Sequence, residues 1–383
     1  MLSTIGMSIL LFVIVSYLFG QSYVNNFFIH GKNSTLQKQI NGDSVSSTLK
    51  YTNSIQSPPP LVLLQKIPLP NVNGRIDHMD IDIKNHRLFV AELENNSIDI
   101  LDLHNNGKRL KSITDGITEP QGVDYVPKYN KLFVSNGGDG KVNIFNATSY
   151  KLIDSIDFHN DADNIRYDNI SKLIYVGYGQ GGIGIINVTN DNLLKEFQLP
   201  AHPESFQIER NSTSFSNKIS INGAYSRIFV NTPDDNSISI INTTSDAVSR
   251  WHLQDNIHGN FPMALDQANH RLFVGTRDPP KLVVFDTNYQ GEYGKIVSEV
   301  DISADPDDIF YDSLNKVIYI SCGEGLIDVF KLQDTNHYSS LAAIPTSPGA
   351  RTSLFVPELH RFYIAVPHIA NQGSKILVYQ VES

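Results

Sequence analysis

Four carboxylates recur at one equivalent position in successive segments of the chain: Asp77, Asp163, Glu204 and Asp307. Gln121, Phe261 and Arg351 hold that position in the other segments. The residue after it is His78, Gly122, Asn164, Ser205, Pro262, Asp308 or Thr352. Carboxylates held close together raise one another's pKa unless a cation or a hydrogen-bond donor intervenes. A bound hard cation, an arginine ion pair or wide, water-filled spacing relieves the repulsion. Oxygen donors of this kind suit Ca²⁺, with Asp77, Asp163, Glu204 and Asp307 as its ligands. An organic ligand would place a cationic group on the same carboxylates and an anionic part on Arg351. His78 and Asn164 would orient it by hydrogen bonds, and Gln121 and Asp308 complete the ligand-binding set. In the enzymatic alternative, a lactone or ester hydrolase, a carboxylate or His78 activates water and Arg351 stabilises the oxyanion. The plainer alternative is that these groups cap strand starts and bind loop amides.

The elements that must position these residues are legible from a phrase written seven times: a hydrophobic residue, an aromatic, then a β-branched residue. Its copies are Leu88-Phe89-Val90, Leu132-Phe133-Val134, Ile174-Tyr175-Val176, Ile228-Phe229-Val230, Leu272-Phe273-Val274, Ile318-Tyr319-Ile320 and Phe362-Tyr363-Ile364. Successive aromatics lie 44, 42, 54, 44, 46 and 44 residues apart. A period of about 40–50 residues built from β-branched and aromatic runs marks a β-propeller, one blade per period. The recurring polar position lies twelve residues before the aromatic, at the start of each inner strand. In the fourth segment Glu209 serves as the reference, which skips an insertion at Asn211–Asn222. All seven occupants therefore converge on the rim of one central channel. One residue beyond the His78 position the inner strands turn apolar, at Met79, Val123, Ile165, Phe206, Met263, Ile309 and Ser353.

Four strands per blade are predicted, separated by turn residues. In the first blade they fall near His78–Asp82, Arg87–Ala91, Ser97–Leu103 and Arg109–Ile113. The seventh blade runs out of chain after Val381 and lacks an outer strand. The segment Leu63–Pro70 reads like Leu193–Pro200, the outer strand of blade three, and supplies it. Pairing those two edges closes the ring.

A net charge of −10 argues against a nucleic-acid partner, which needs a basic footprint. The single cysteine, Cys322, permits no intrachain disulfide and reads as a small core residue. Leu2–Gly20 is an apolar stretch that suits either a membrane anchor or a cleaved signal peptide ending at Gly20-Gln21-Ser22. Residues 1–22 are thus signal or anchor, 23–60 a polar flexible linker, and 61–383 the propeller. Seven N-x-S/T triplets, at Asn33, Asn95, Asn146, Asn169, Asn187, Asn211 and Asn242, fit an exported, extracellular or cell-surface protein.

Gly177-Tyr178-Gly179-Gln180-Gly181-Gly182 satisfies G-x-G-x-x-G, but a strand and not a helix follows, so it reads as a hairpin turn. Among twelve histidines only His78 and His202 fall near the rim. His86, His270 and His360 share a turn position, which argues against a histidine metal cluster.

The blade openings carry a family resemblance. Gly74-Arg75-Ile76-Asp77-His78, Glu119-Pro120-Gln121-Gly122, Asp161–Asp168, His202-Pro203-Glu204-Ser205-Phe206, Asn260–Asp266 and Gly349–Phe355 resemble the openings of YVTN-repeat, YncE-like seven-bladed propellers, a WD40-like and lactonase-like architecture. The resemblance spans about Leu61 to Val381 and implies a seven-bladed fold and export. The reading taken forward is an exported or surface-anchored propeller that binds a small ligand or a surface protein at its acidic rim without turnover. A hydrolase and a pure protein-interaction scaffold are the alternatives.

Overall fold

The computed structural model describes residues 59–210, 226–289, 291, 294–369 and 372–382. The apolar N-terminal stretch, most of the linker and the Asn211–Asn222 insertion lie outside the described residues. Within them, no helix is long and apolar enough to cross a membrane.

Seven four-stranded antiparallel sheets form the blades. Their inner strands are Met79–Asp82, Pro120–Val126, Ala162–Asp168, Phe206–Arg210, His258–Asp266, Pro306–Asp312 and Ser353–Val356. Each chain segment then runs outward through a second, third and outer strand. The repeated phrase forms the second strand, and its strict alternation explains the packing. Phe133 points into a cluster with Ile165, Ile174 and Val176 of the following blade. Its neighbours Leu132 and Val134 point the other way, onto Phe89 of the preceding one. Successive side chains on a strand face opposite sides, so one tripeptide serves two interfaces. The same assignment holds around the ring, and seven apolar clusters fill the seven interfaces. Second strands such as Leu173–Tyr178 are buried throughout, whereas the outer strand Leu152–Asp157 is exposed along nearly all of its length.

Blade seven is closed by the strand Leu61–Pro68, which pairs antiparallel with Lys375–Val381 from Leu61 opposite Val381 to Pro68 opposite Lys375. Outside the ladder, Leu69 N–H donates to the Ser374 carbonyl at 2.9 Å, and Ser374 Oγ donates to the Val72 carbonyl at 2.9 Å. The closing segment predicted as Leu63–Pro70 thus begins and ends two residues earlier as a strand. In blade three, likewise, the outer strand spans Asn192–Gln198, ahead of Pro200.

Gly177–Gly182 is a hairpin, as expected: it joins the strands Leu173–Tyr178 and Gly182–Asn187. His86, His270 and His360 adopt left-handed φ values of 51°, 56° and 50° immediately before their second strands. Cys322 is buried in the interface of blades five and six, and burial pushes its thiol pKa up. That is the environment of an inert core thiol.

Candidate functional site

In four of the seven blades the inner strand starts with an irregularity. In blades two, three, five and six the pairing of inner with second strand slips, between Pro120 and Gly122, Ala162 and Ile165, Asn260 and Met263, and Pro306 and Asp308. Such a bulge re-aims side chains and breaks the two-residue alternation. Consecutive residues, such as Asp307 and Asp308, are thereby both delivered to the channel mouth, where they line one recess with Asp163, Glu204, Arg75 and Phe261.

Arginines neutralise part of this acidic rim. Arg75 Nη2 lies 3.0 Å from Asp77, whose side chain is buried. Arg351 bridges two carboxylates, Asp305 at 2.8 Å and Asp307 at 3.1 Å. Arg277 bridges the same pair, 3.1 Å from Asp305 and in a tight ion pair with Asp307. Its guanidinium is stacked 3.5 Å from the centroid of the Phe261 ring. Two arginines and two aspartates therefore form a closed square on one side of the mouth.

Histidines serve the other side. His202 donates Nδ1–H to the Gly179 carbonyl at 2.6 Å and sets Nε2 3.5 Å from Asp163. Burial opposes its charge, but the bonds to Asp163 and Gly179 prevail and lift its pKa to about 9. His78 places Nδ1 at 3.1 Å from the Gln121 carbonyl and 3.3 Å from Asp77, with Nε2 3.9 Å from Asp308. Its pKa is also raised, because Asp77 and Asp308 outweigh burial. Burial raises the acids in turn: Asp308 to about 7, and Glu204 to about 7 with help from Asp163. Asp308 also accepts the Ser353 backbone N–H at 2.6 Å. The Gln121 amide is engaged with Asp161 at 2.7 Å.

Below the rim lies a channel of about 390 Å³. Met79, Val123, Ile165, Met263 and Ile309 contribute to its wall and, like Phe206, also pack into the core clusters of the blade interfaces. The next residue of each strand lines the channel as well: Asp80, Asp124, Arg166 and Gln207 in blades one to four, and Ala264, Phe310 and Leu354 in blades five to seven. At that second position the wall is polar in blades one to four and apolar in blades five to seven.

The structure brings Asp77, His78, Asp163, Asn164, Glu204, Asp307, Asp308 and Arg351 to one opening, with Gln121 beside it. It does not assemble the four expected Ca²⁺ ligands around one point. Among the described residues no group of three or more His, Cys, Asp or Glu side chains is arranged to hold a metal ion. Asp77 is turned to Arg75, and Asp307 to Arg277 and Arg351. The sequence placed His202 near the rim but did not single out Arg75 and Asp305, each two residues before a rim position, and the ion pairs of Arg277, at the end of the strand Arg271–Asp278, emerge only in the fold. A period-two reading extended backward from the rim would have flagged Arg75 and Asp305.

No protein-family model matches the chain, and no curated protein does. Solved structures do resemble it. Kuenenia stuttgartiensis hydrazine synthase superposes with a TM-score of 0.64 at 14% identity, covering 82% of this chain and 98% of that one. A chain of a mitotic checkpoint complex superposes with a TM-score of 0.67 at 12% identity, covering 92% and 99%. The WD40 repeats of RRP9 give 0.65 at 8% identity, covering 82% and 99%. At these identities the likeness concerns the fold alone.

Proposed function

We propose that this propeller is an exported or surface-anchored protein of the YVTN-repeat type that binds a small ligand at the mouth of its central channel and does not turn it over. The observation that carries this reading is the mixed-charge mouth above an open channel. Arginines and histidines already offset the rim carboxylates, so a ligand with both polar and apolar parts meets donors, acceptors and hydrocarbon in one recess. Small-ligand sites are of this kind, concave with few polar groups that fix orientation, and about 300–1,000 Å³ in volume. Export is supported by the apolar Leu2–Gly20 segment, the polar stretch to residue 60 and the N-x-S/T triplets.

Thermal melting of the full-length protein against a panel of small anions, cations, sugars and amphiphiles tests the reading. A ligand that binds only the folded state stabilises it by about 2.7 kcal/mol at a hundredfold excess over its dissociation constant. At least one class should raise Tm, and the combined Asp163→Asn, Asp307→Asn variant should lose that rise. Ca²⁺ against a chelator should leave Tm unchanged, since arginines already balance Asp77 and Asp307. A Ca²⁺-dependent rise would restore the metal reading. Lactone hydrolysis lost in the same variant would replace binding by catalysis. A panel without effect, beside a protein partner captured equally by wild type and variant, would favour the scaffold.

A further inference from the structure

The charged groups in the channel wall are unequally satisfied. Asp80 and Asp124 are well provided for. Burial raises the pKa of both, Asp80 to about 6 and Asp124 well above the usual carboxylate value. Asp80 also accepts the Tyr125 backbone N–H at 2.6 Å, and Asp124 that of Tyr167 at 2.5 Å. Arg166 is not. Its Nη2 donates one hydrogen bond, to Ser205 Oγ at 3.2 Å. Its Nε is buried without a hydrogen-bond partner. No carboxylate among the described residues forms an ion pair with it, although Arg75, Arg277 and Arg351 each have at least one. A guanidinium carries five N–H donors in a rigid fork matched to a carboxylate. Arg166 lines the channel with its guanidinium 5.5 Å from the centroid of the Phe206 ring, and Ser205 is its one hydrogen-bond partner among the described residues.

The wall across from it supplies the second half of the argument. Ala264, Phe310 and Leu354 contribute hydrocarbon to the same channel. Building on the reading of this channel as a ligand site, we propose that it takes an amphipathic monocarboxylate. The carboxylate sits on Arg166 and the hydrocarbon part lies against Ala264, Phe310 and Leu354. Ser205, whose oxygen accepts from Arg166, keeps its own proton to donate to the second carboxylate oxygen. A carboxylate thus completes the hydrogen bonding of a cation held away from water, and the tail removes its apolar surface from water. Burial raises the pKa of Asp80 and Asp124, which limits the negative charge that such an anion meets.

Octanoate, octanol, octylammonium and acetate separate head from tail, and calorimetric titration into the full-length protein reads each affinity. Octanoate should bind about tenfold or more tightly than octanol, from the loss of charged hydrogen bonds, and than acetate, from the loss of the tail. Arg166→Gln should abolish that preference while leaving the unliganded Tm unchanged or higher, because it removes a desolvated cation without an ion-pair partner. Arg166→Lys, which keeps the charge but not the fork, should bind octanoate with intermediate affinity. Equal binding of octanoate and octanol, octanoate binding indifferent to Arg166→Gln, or a preference for octylammonium would each overturn the assignment. If octanoate fails while another class from the panel binds, the carboxylate assignment falls and the channel remains a ligand site. If nothing binds, both readings fall.

Discussion

Glu92, Glu204, Asp308 and His202 keep protons that free side chains would release. Burial, then Asp99, pushes Glu92 to about 8, and burial pushes Asp308 and Glu204 to about 7. His202 reaches about 9 through Asp163 and the Gly179 carbonyl, against burial. In an unfolded chain the acids would titrate near 4 and the histidine near 6.5. Between pH 6.5 and 9 the folded protein therefore binds more protons than the unfolded one, and stability must fall as pH rises. Scanning calorimetry should show a lower Tm at pH 9 than at pH 6.5. Glu92→Gln should flatten the fall, because the amide keeps the shape and carries no charge to bury beside Asp99. A Tm that rises across this range would mean that these groups titrate as they do in water.

Strands differ in what they contribute, and the second strand contributes most. Phe133 is fully buried between blades two and three, whereas Ile153, on the outer strand of the same blade, is 49% exposed. Phe133→Ala should cost about 3–5 kcal/mol, the transfer of the ring plus the cavity it leaves. Ile153→Ala should stay within about 0.5 kcal/mol of wild type. Urea unfolding of the two variants compares them directly. Similar costs would mean that the interface relaxes into the cavity, contrary to the close packing on both sides of the second strand.

The ring holds its ends by pairing the first strand with the last. Ile67, fully buried in the cluster between blades seven and one, anchors Leu61–Pro68 on Lys375–Val381. Ile67→Ala should cost about 2–5 kcal/mol. Because each closing strand covers the edge of the other, amide hydrogen exchange should accelerate in both segments together. Faster exchange in Leu61–Pro68 alone would show that the carboxyl-terminal blade stands without its partner.

Much of this was present in the order of residues. The Leu-Phe-Val phrase specifies strands locally, and its recurrence admits few architectures other than a ring of blades. The missing outer strand of the seventh blade was legible too, because Leu63–Pro70 repeats the pattern of the outer strand of blade three. So was the convergence of Asp77, Asp163, Glu204, Asp307 and Arg351, since equivalent positions in a closed ring must meet. Two things were decided only by the folded chain. In blades two, three, five and six the inner-strand bulges break the alternation, so consecutive residues such as Asp307 and Asp308 both reach the mouth. Ion-pair choice is likewise a matter of distance across blades: Arg277 and Asp307 are 30 residues apart, and no local rule couples them. Strand patterning is a short-range property that a sequence records directly. The neutralised rim and the unpaired Arg166 arise where seven strands meet, and only their common geometry determines them.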